Sequence, residues 1–322
     1  MTEGNRSAAN DPASSPAALL SADLVAQAVY GGIRLCATTL RSDVFTAIQE
    51  LFRTAEADHP GSREASVLES IIRNANIAQE KDVPLCQDTG SVWVCLEVGR
   101  NVLMTADALS QVDEAVAQAY TEGGLRMSIL ADALFRRTNT NTNAPAFTEV
   151  RFHEGRGCKL HVMLKGGGSD NASRLVMLAP GAGREGVKQV VLDAVKEKAA
   201  NACPPIIVGV GVGGTFDKVA GLSKRALLRR LDEPAESAEH AAFEEELLEA
   251  INALGIGPGA LGGATTALGV HLKTAPCHIA ALPVAVNLSC CALRSATFTL
   301  VDEDGNVVRY PAAESWDAEG RQ

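Results

Sequence analysis

Residues 84–90, Pro-Leu-Cys-Gln-Asp-Thr-Gly, set a thiol, an amide and a carboxylate side by side at Cys86, Gln87 and Asp88. A thiolate can ligate a soft metal and a carboxyl group can move a proton, so one loop can serve both jobs. Pro84 turns the residue before it away from helix, and Gly90 permits a turn, so the three side chains are expected on irregular backbone. The apolar run Val92 to Leu96 that follows reads as a buried strand. A turn holding a buried cysteine and a capping aspartate has the same composition. The stretch alone leaves both readings open.

Other candidates are scattered along the chain. Arg126 follows a double glycine and can offer its fork to a carboxylate, although a surface ion pair is the commoner fate of such a residue. Lys165-Gly166-Gly167-Gly168-Ser169-Asp170-Asn171 can present backbone N–H groups to an anion, but lacks the G-K-[ST] ending of a P-loop. Gly209 to Gly214 satisfies G-x-G-x-x-G after a strand. A nicotinamide site is rejected because the chain about 20 residues on is a polar linker, Leu231 to Glu236, with no second strand ending in an acid. Those glycines are expected instead to let the backbone pack beside whatever Cys203 holds. His278 and the pair Cys290-Cys291 stand near the C-terminus, and each also suits a structural role.

Helical periodicity covers residues 20–57 and continues from Ser62-Glu64 through Ile77, delivering the chain to the Cys86 loop. Further helices are expected over 105–123, 184–201, 215–229 and 238–253, and strands near 92–98, 206–208, 267–272, 279–286 and 296–301. Ala146 to Phe152 and Lys159 to Lys165 read as a hairpin-like pair around Glu154-Gly155-Arg156-Gly157. Residues 137–145, Arg-Thr-Asn-Thr-Asn-Thr-Asn-Ala-Pro, are too polar for a regular element; they either line a site or cross the surface. The alternation of helices and strands predicts an α/β fold, with helices around small mixed sheets.

A chain of 322 residues with 46% hydrophobic and 21% charged residues is of ordinary globular composition. Its formal charge of −10 argues against nucleic acid or an anionic membrane surface as partner. No apolar run reaches the roughly 18 to 20 residues that span a bilayer, and the N-terminus lacks a basic-then-apolar leader, so a cytoplasmic protein is expected. Residues 1–20 read as a disordered lead-in, 21–310 as the main domain and 311–322 as a tail. The eight cysteines include no C-x-x-C pair, so any metal ligands must converge from distant segments.

Several long motifs together resemble the class I, iron–sulfur-dependent fumarase family, and more narrowly the alpha subunit of its two-subunit members, which include L-tartrate dehydratase. They are PLCQDTG at 84–90, LRMS at 125–128, KGGGSDN at 165–171, NACPPIIVGVGVGG at 201–214, GIGPGALGG at 255–263 and HIAALPVAVNLSC at 278–290. The similarity runs in order from about residue 20 to 305.

The resemblance implies a [4Fe–4S] cluster held by Cys86, Cys203 and Cys290 with one iron left open, Cys291 being the rival for the third place. It implies reversible hydration of a dicarboxylic acid, with Asp88 as general acid and Gln87, Arg126, Gly167 and His278 touching substrate. Fumarate and malate are the expected substrates from the GGGSDN loop and the HIAALPVAVN run, with L-tartrate or mesaconate as alternatives. Cys291 stands where many relatives have His, and Asp170 where Glu is common. The half that supplies the base in single-chain members is missing here, so a beta subunit and an α2β2 assembly are implied. The rival to enzyme function is a cluster-free interaction subunit.

Overall fold

A computed structural model describes residues 17–309. The chain begins with strand β1 (Ala18–Leu20) and helices α1 (Ala22–Thr38), α2 (Ser42–Asp58) and α3 (Arg63–Lys81). Then come β2 (Ser91–Gly99), β3 (Val102–Met104), α4 (Val112–Glu122), β4 (Phe147–His153), β5 (Cys158–Lys165), the single turn α5 (Gly167–Asp170) and β6 (Arg174–Leu178). The rest is α6 (Gly183–Lys198), β7 (Ile206–Gly214), α7 (Phe216–Ala226), α8 (Ala238–Asn252), β8 (Ala267–Cys277), β9 (Leu282–Ser289) and β10 (Arg294–Val301). The fold is α/β, as expected. The lead-in ends before residue 20, because Ala18–Leu20 pair in parallel with Val102–Met104. The tail and residues 1–16 lie outside the described residues.

Two mixed four-stranded sheets organise the chain, in the orders β10-β5-β2-β4 and β6-β9-β7-β8. The expected hairpin of 146–152 with 159–165 does not form. β2 lies between the two strands, parallel to β4 and antiparallel to β5. The connection cannot fold back directly because it crosses the end of β2, where Gly99 and Arg100 donate their N–H groups to the carbonyls of Gly157 and Gly155. The long helical stretch from residue 20 is broken at Thr39–Arg41, where Arg41 turns inward and its fork grips Asp43 at 2.6 and 2.7 Å.

Strand alternation divides the core in three. Val92, Val94, Leu96 and Val98 face α1 and α4. α6 and α8 pack on the second sheet, against Val208, Val210, Val284 and Val286. The third core takes Trp93, Cys95 and Met163 from the other face of the first sheet, together with α2, α3, Ile207 and Leu227. It joins the two sheets. It also contains Leu85 and Leu293, the near neighbours of Cys86 and Cys290. Among the described residues no helix is long and apolar enough to cross a membrane.

The glycine string at 209–214 is mostly strand interior, and its glycines serve packing against α7. A Cβ on Gly209 would lie 2.2 Å from the Ser223 carbonyl oxygen, and one on Gly211 would lie 2.6 Å from that of Val219. The close approach expected around Cys203 is therefore an approach of β7 to α7 instead.

Candidate active site

The Cys86 loop is fixed at both ends by backbone contacts. Leu85 is buried, donates its N–H to the Ala37 carbonyl at 2.8 Å and accepts from the Asn74 amide at 2.9 Å. Beyond the reactive residues, the Thr89 hydroxyl donates to the Arg126 carbonyl, and Gly90 accepts from Tyr120 and Asn143. Gly90 has φ +86°, and a Cβ there would lie 2.6 Å from the Lys165 carbonyl, so only glycine lets the loop close against the end of β5. Cys86 and Asp88 are half-buried between these anchors and Gln87 is exposed.

Asp88 is tightly placed. One carboxylate oxygen accepts the Gly167 N–H at 2.8 Å, and its backbone carbonyl accepts from Arg294 Nη1 at 2.7 Å. The glycine N–H expected to face substrate is thus engaged by the acid. Its one-turn helix is held in turn by Lys165, whose ammonium donates to Ser169 Oγ at 2.8 Å and to the Leu288 carbonyl at 2.7 Å. Burial pushes that lysine down to about 8.

Two further loops bring cysteines to the same place. Cys203 follows a 3₁₀ turn in left-handed backbone (φ 54°, ψ 71°) and is exposed just before β7. Its carbonyl accepts the Cys291 N–H at 3.1 Å, which ties it to the Cys290-Cys291 segment after β9. Burial raises the Cys203 thiol, and the neighbouring Cys290, Cys86 and Asp88 raise it further. Burial raises Cys291 too, with Cys290, Cys203 and Cys86 next, and it packs against the third core.

All of these thiols are free, and among the described residues no three His, Cys, Asp or Glu side chains come close enough to hold a single metal ion. Thiols that neighbour one another, as Cys290 and Cys86 neighbour Cys203, are the ligand type that iron–sulfur clusters take. By that donor chemistry Cys86, Cys203 and Cys290 fit the implied group.

Arg126 reaches this region through its carbonyl, and its exposed guanidinium forms no ion pair among the described residues. The polar 137–145 segment reaches the Cys86 loop through Asn143. Buried Asn143 accepts the Ser128 N–H and donates to the Gly90 carbonyl, fastening the Arg126 segment to the Cys86 loop. His278 lies elsewhere, on the turn between β8 and β9, with Nδ1 accepting the Ala280 N–H. β9 runs its full length from that turn to Cys290, so about 25 Å separates them at roughly 3.3 Å per strand residue.

Sequence reasoning passed over Lys165, Asn143 and Arg294. Each is a buried polar residue in or near a motif, and that burial becomes visible only once the sheets are assembled.

The architecture and this convergence of cysteines with an acid define an α/β protein built around a candidate metal and acid–base centre. A family model described as fumarate hydratase (Fumerase) matches residues 26–299. A Methanocaldococcus jannaschii protein provisionally named L(+)-tartrate dehydratase subunit alpha is 39% identical over 82% of this chain and 93% of its own length. The L(+)-tartrate dehydratase alpha subunits of Escherichia coli strains UTI89 and K12 are 31% and 30% identical, over 82% of this chain and 86% of theirs. The chain belongs to the fumarase family, in its branch of fumarase and tartrate dehydratase alpha subunits.

Proposed function

We propose that this chain is the alpha subunit of a [4Fe–4S] hydro-lyase that removes water from a four-carbon hydroxydicarboxylate. The observation that carries the reading is the meeting of Cys86, Cys203 and Cys290 with Asp88 on three loops around one core. Such a cluster, with one iron free of cysteine, supplies a Lewis acid for the substrate hydroxyl.

The chain's own residues supply the rest. Asp88 Oδ2 is occupied by the Gly167 N–H, so the proton for the departing hydroxyl sits on Oδ1. That proton leaves with the hydroxyl as water, and Asp88 is left as carboxylate. Arg126 clamps a substrate carboxylate with its unpaired fork. The amide of Gln87, whose oxygen lies 3.4 Å from Cys86 Sγ, orients the substrate beside the thiolate. The relatives' names as alpha subunits support a beta subunit as partner; in this reading that subunit supplies the base that takes the proton from carbon, in an α2β2 assembly. His278, remote within this chain, contacts substrate only if assembly brings it to a site.

L(+)-tartrate is the first substrate in this reading, because the relatives that match 82% of this chain carry that name. The motif-based expectation of fumarate finds no support in those names. It stands as the second reading because the matching family model is described as fumarate hydratase. Tartrate and malate, the hydrated partner of fumarate, differ by one hydroxyl, a difference that a few pocket contacts decide. Turnover of L-tartrate, malate and fumarate by the co-expressed alpha and beta chains tests this directly. Tartrate is expected to give the highest kcat/KM, and an assembly idle on tartrate but active on malate overturns the first reading.

A further inference from the structure

The candidate site lies at the seam between the two sheets, and one buried side chain crosses that seam. Lys165 ends β5 in the first sheet, while Leu288 lies in β9 of the second. Lys165 is 2% exposed, and its ammonium donates to the Leu288 carbonyl at 2.7 Å, two residues before Cys290. It also donates to Ser169 Oγ at 2.8 Å. The Ser169 hydroxyl donates to the Gly166 carbonyl at 3.1 Å, closing the turn whose Gly167 N–H holds Asp88. The Lys165 backbone meets the Cys86 loop, since Ser91 is its partner in the ladder and Gly90 packs on its carbonyl. One residue therefore touches the supports of the acid and of two of the cysteines.

Burying an ammonium is costly unless anions face it, and both hydrogen-bond acceptors of Lys165 are neutral. The carboxylate paired with it, Asp170, stands 3.7 Å away with its side chain 47% exposed, where water weakens the attraction. Lys224 and Arg294 oppose the charge. Lys224 is turned to the Trp93 ring, and Arg294 donates to the Asp88 carbonyl. The other group that favours the ammonium is Cys290. It does so as a thiolate, which is the form in which a cysteine ligates metal.

We propose that Lys165 is a positioning residue that couples the acid to the cysteine centre. Its two bonds fix Asp88 relative to Cys290, and its charge favours the Cys290 thiolate and added electron density on the group that this thiolate ligates. The proposal rests on the reading of the chain as an iron–sulfur hydro-lyase subunit. Bonds and charge are separable by substitution. Met at 165 keeps the length of the side chain and removes both, whereas Ala at 169 cuts the bond to the turn and leaves the cation and its Leu288 bond in place.

The test compares Lys165→Met and Ser169→Ala with wild type in the anaerobically purified assembly of alpha and beta chains. Iron and sulfide per chain, the cluster midpoint potential from a titration followed by electron paramagnetic resonance, and kcat and KM are measured. Lys165→Met is expected to move the potential to more negative values, because loss of a nearby cation disfavours the reduced cluster. It is also expected to lower kcat about tenfold or more with little change in KM. Ser169→Ala keeps the cation, so it is expected to lower kcat and leave the potential at the wild-type value. Loaded Lys165→Met with wild-type potential and kcat overturns the proposal, as does a potential shifted equally by both variants. Where Lys165→Met does not fold, Ser169→Ala decides alone, and an unchanged kcat overturns the proposal. A wild-type assembly without a cluster overturns the parent reading and this proposal with it.

Discussion

At the scale of single residues, the account turns on Asp88 and the groups that hold it. Arg294 is 3% exposed and donates to the Asp88 carbonyl, while its Nε has no acceptor among the described residues. Replacing it by Met removes that donor from a half-buried acceptor. Arg294→Met is expected to cost about 1–3 kcal/mol in urea unfolding and to lower kcat of the assembled enzyme more than it raises KM. Unchanged kcat would show that Asp88 is held without Arg294. Asp88 was legible in the sequence as a candidate acid, because Cys86-Gln87-Asp88 lie together in a motif. Arg294 and Lys165 were not, since their significance comes from contacts made across 206 and 123 residues of chain.

Between elements, the packing of β7 on α7 sets where Cys203 emerges. Gly209→Ala drives a Cβ into the Ser223 carbonyl at 2.2 Å, so α7 must shift, and a loss of about 1–3 kcal/mol is expected in chemical denaturation. A midpoint equal to wild type would contradict the packing role. The next lock is His271 on β8, whose Nδ1 lies 3.1 Å from the Ala226 carbonyl at the end of α7. Burial, with Arg229 next, pushes this imidazole down to about 3. The folded protein therefore keeps it neutral while the unfolded chain protonates it below about 6.5. The unfolded state then binds the extra proton, and stability falls as pH falls from about 6.5 towards 3, by up to about 1.4 kcal/mol per pH unit. His271→Gln is expected to show a shallower loss between pH 6.5 and 4.5 in urea unfolding; equal slopes in variant and wild type would contradict this. Helix positions were readable from period and caps, as at Ser62, which accepts from Ala65 N–H at 3.2 Å. The partner of each strand was not, because β4 and β5 are neighbours in sequence yet are separated by β2.

For the whole molecule, the central claim is that three distant loops converge to hold a cluster and that a second chain completes the chemistry. The alpha chain alone is expected to carry iron without turnover, and addition of the beta chain to restore activity; turnover by the alpha chain alone would sink the division of labour. Family membership was legible because its motifs are long and contiguous. The remoteness of His278 was not, since it depends on the direction in which β9 runs. The most direct test is iron and acid-labile sulfide per chain after anaerobic purification, with Cys203→Ser beside it. About four irons per wild-type chain, lost in the folded variant, is the predicted result. A well-folded wild-type chain that takes up no iron, even after cluster reconstitution, would contradict the account.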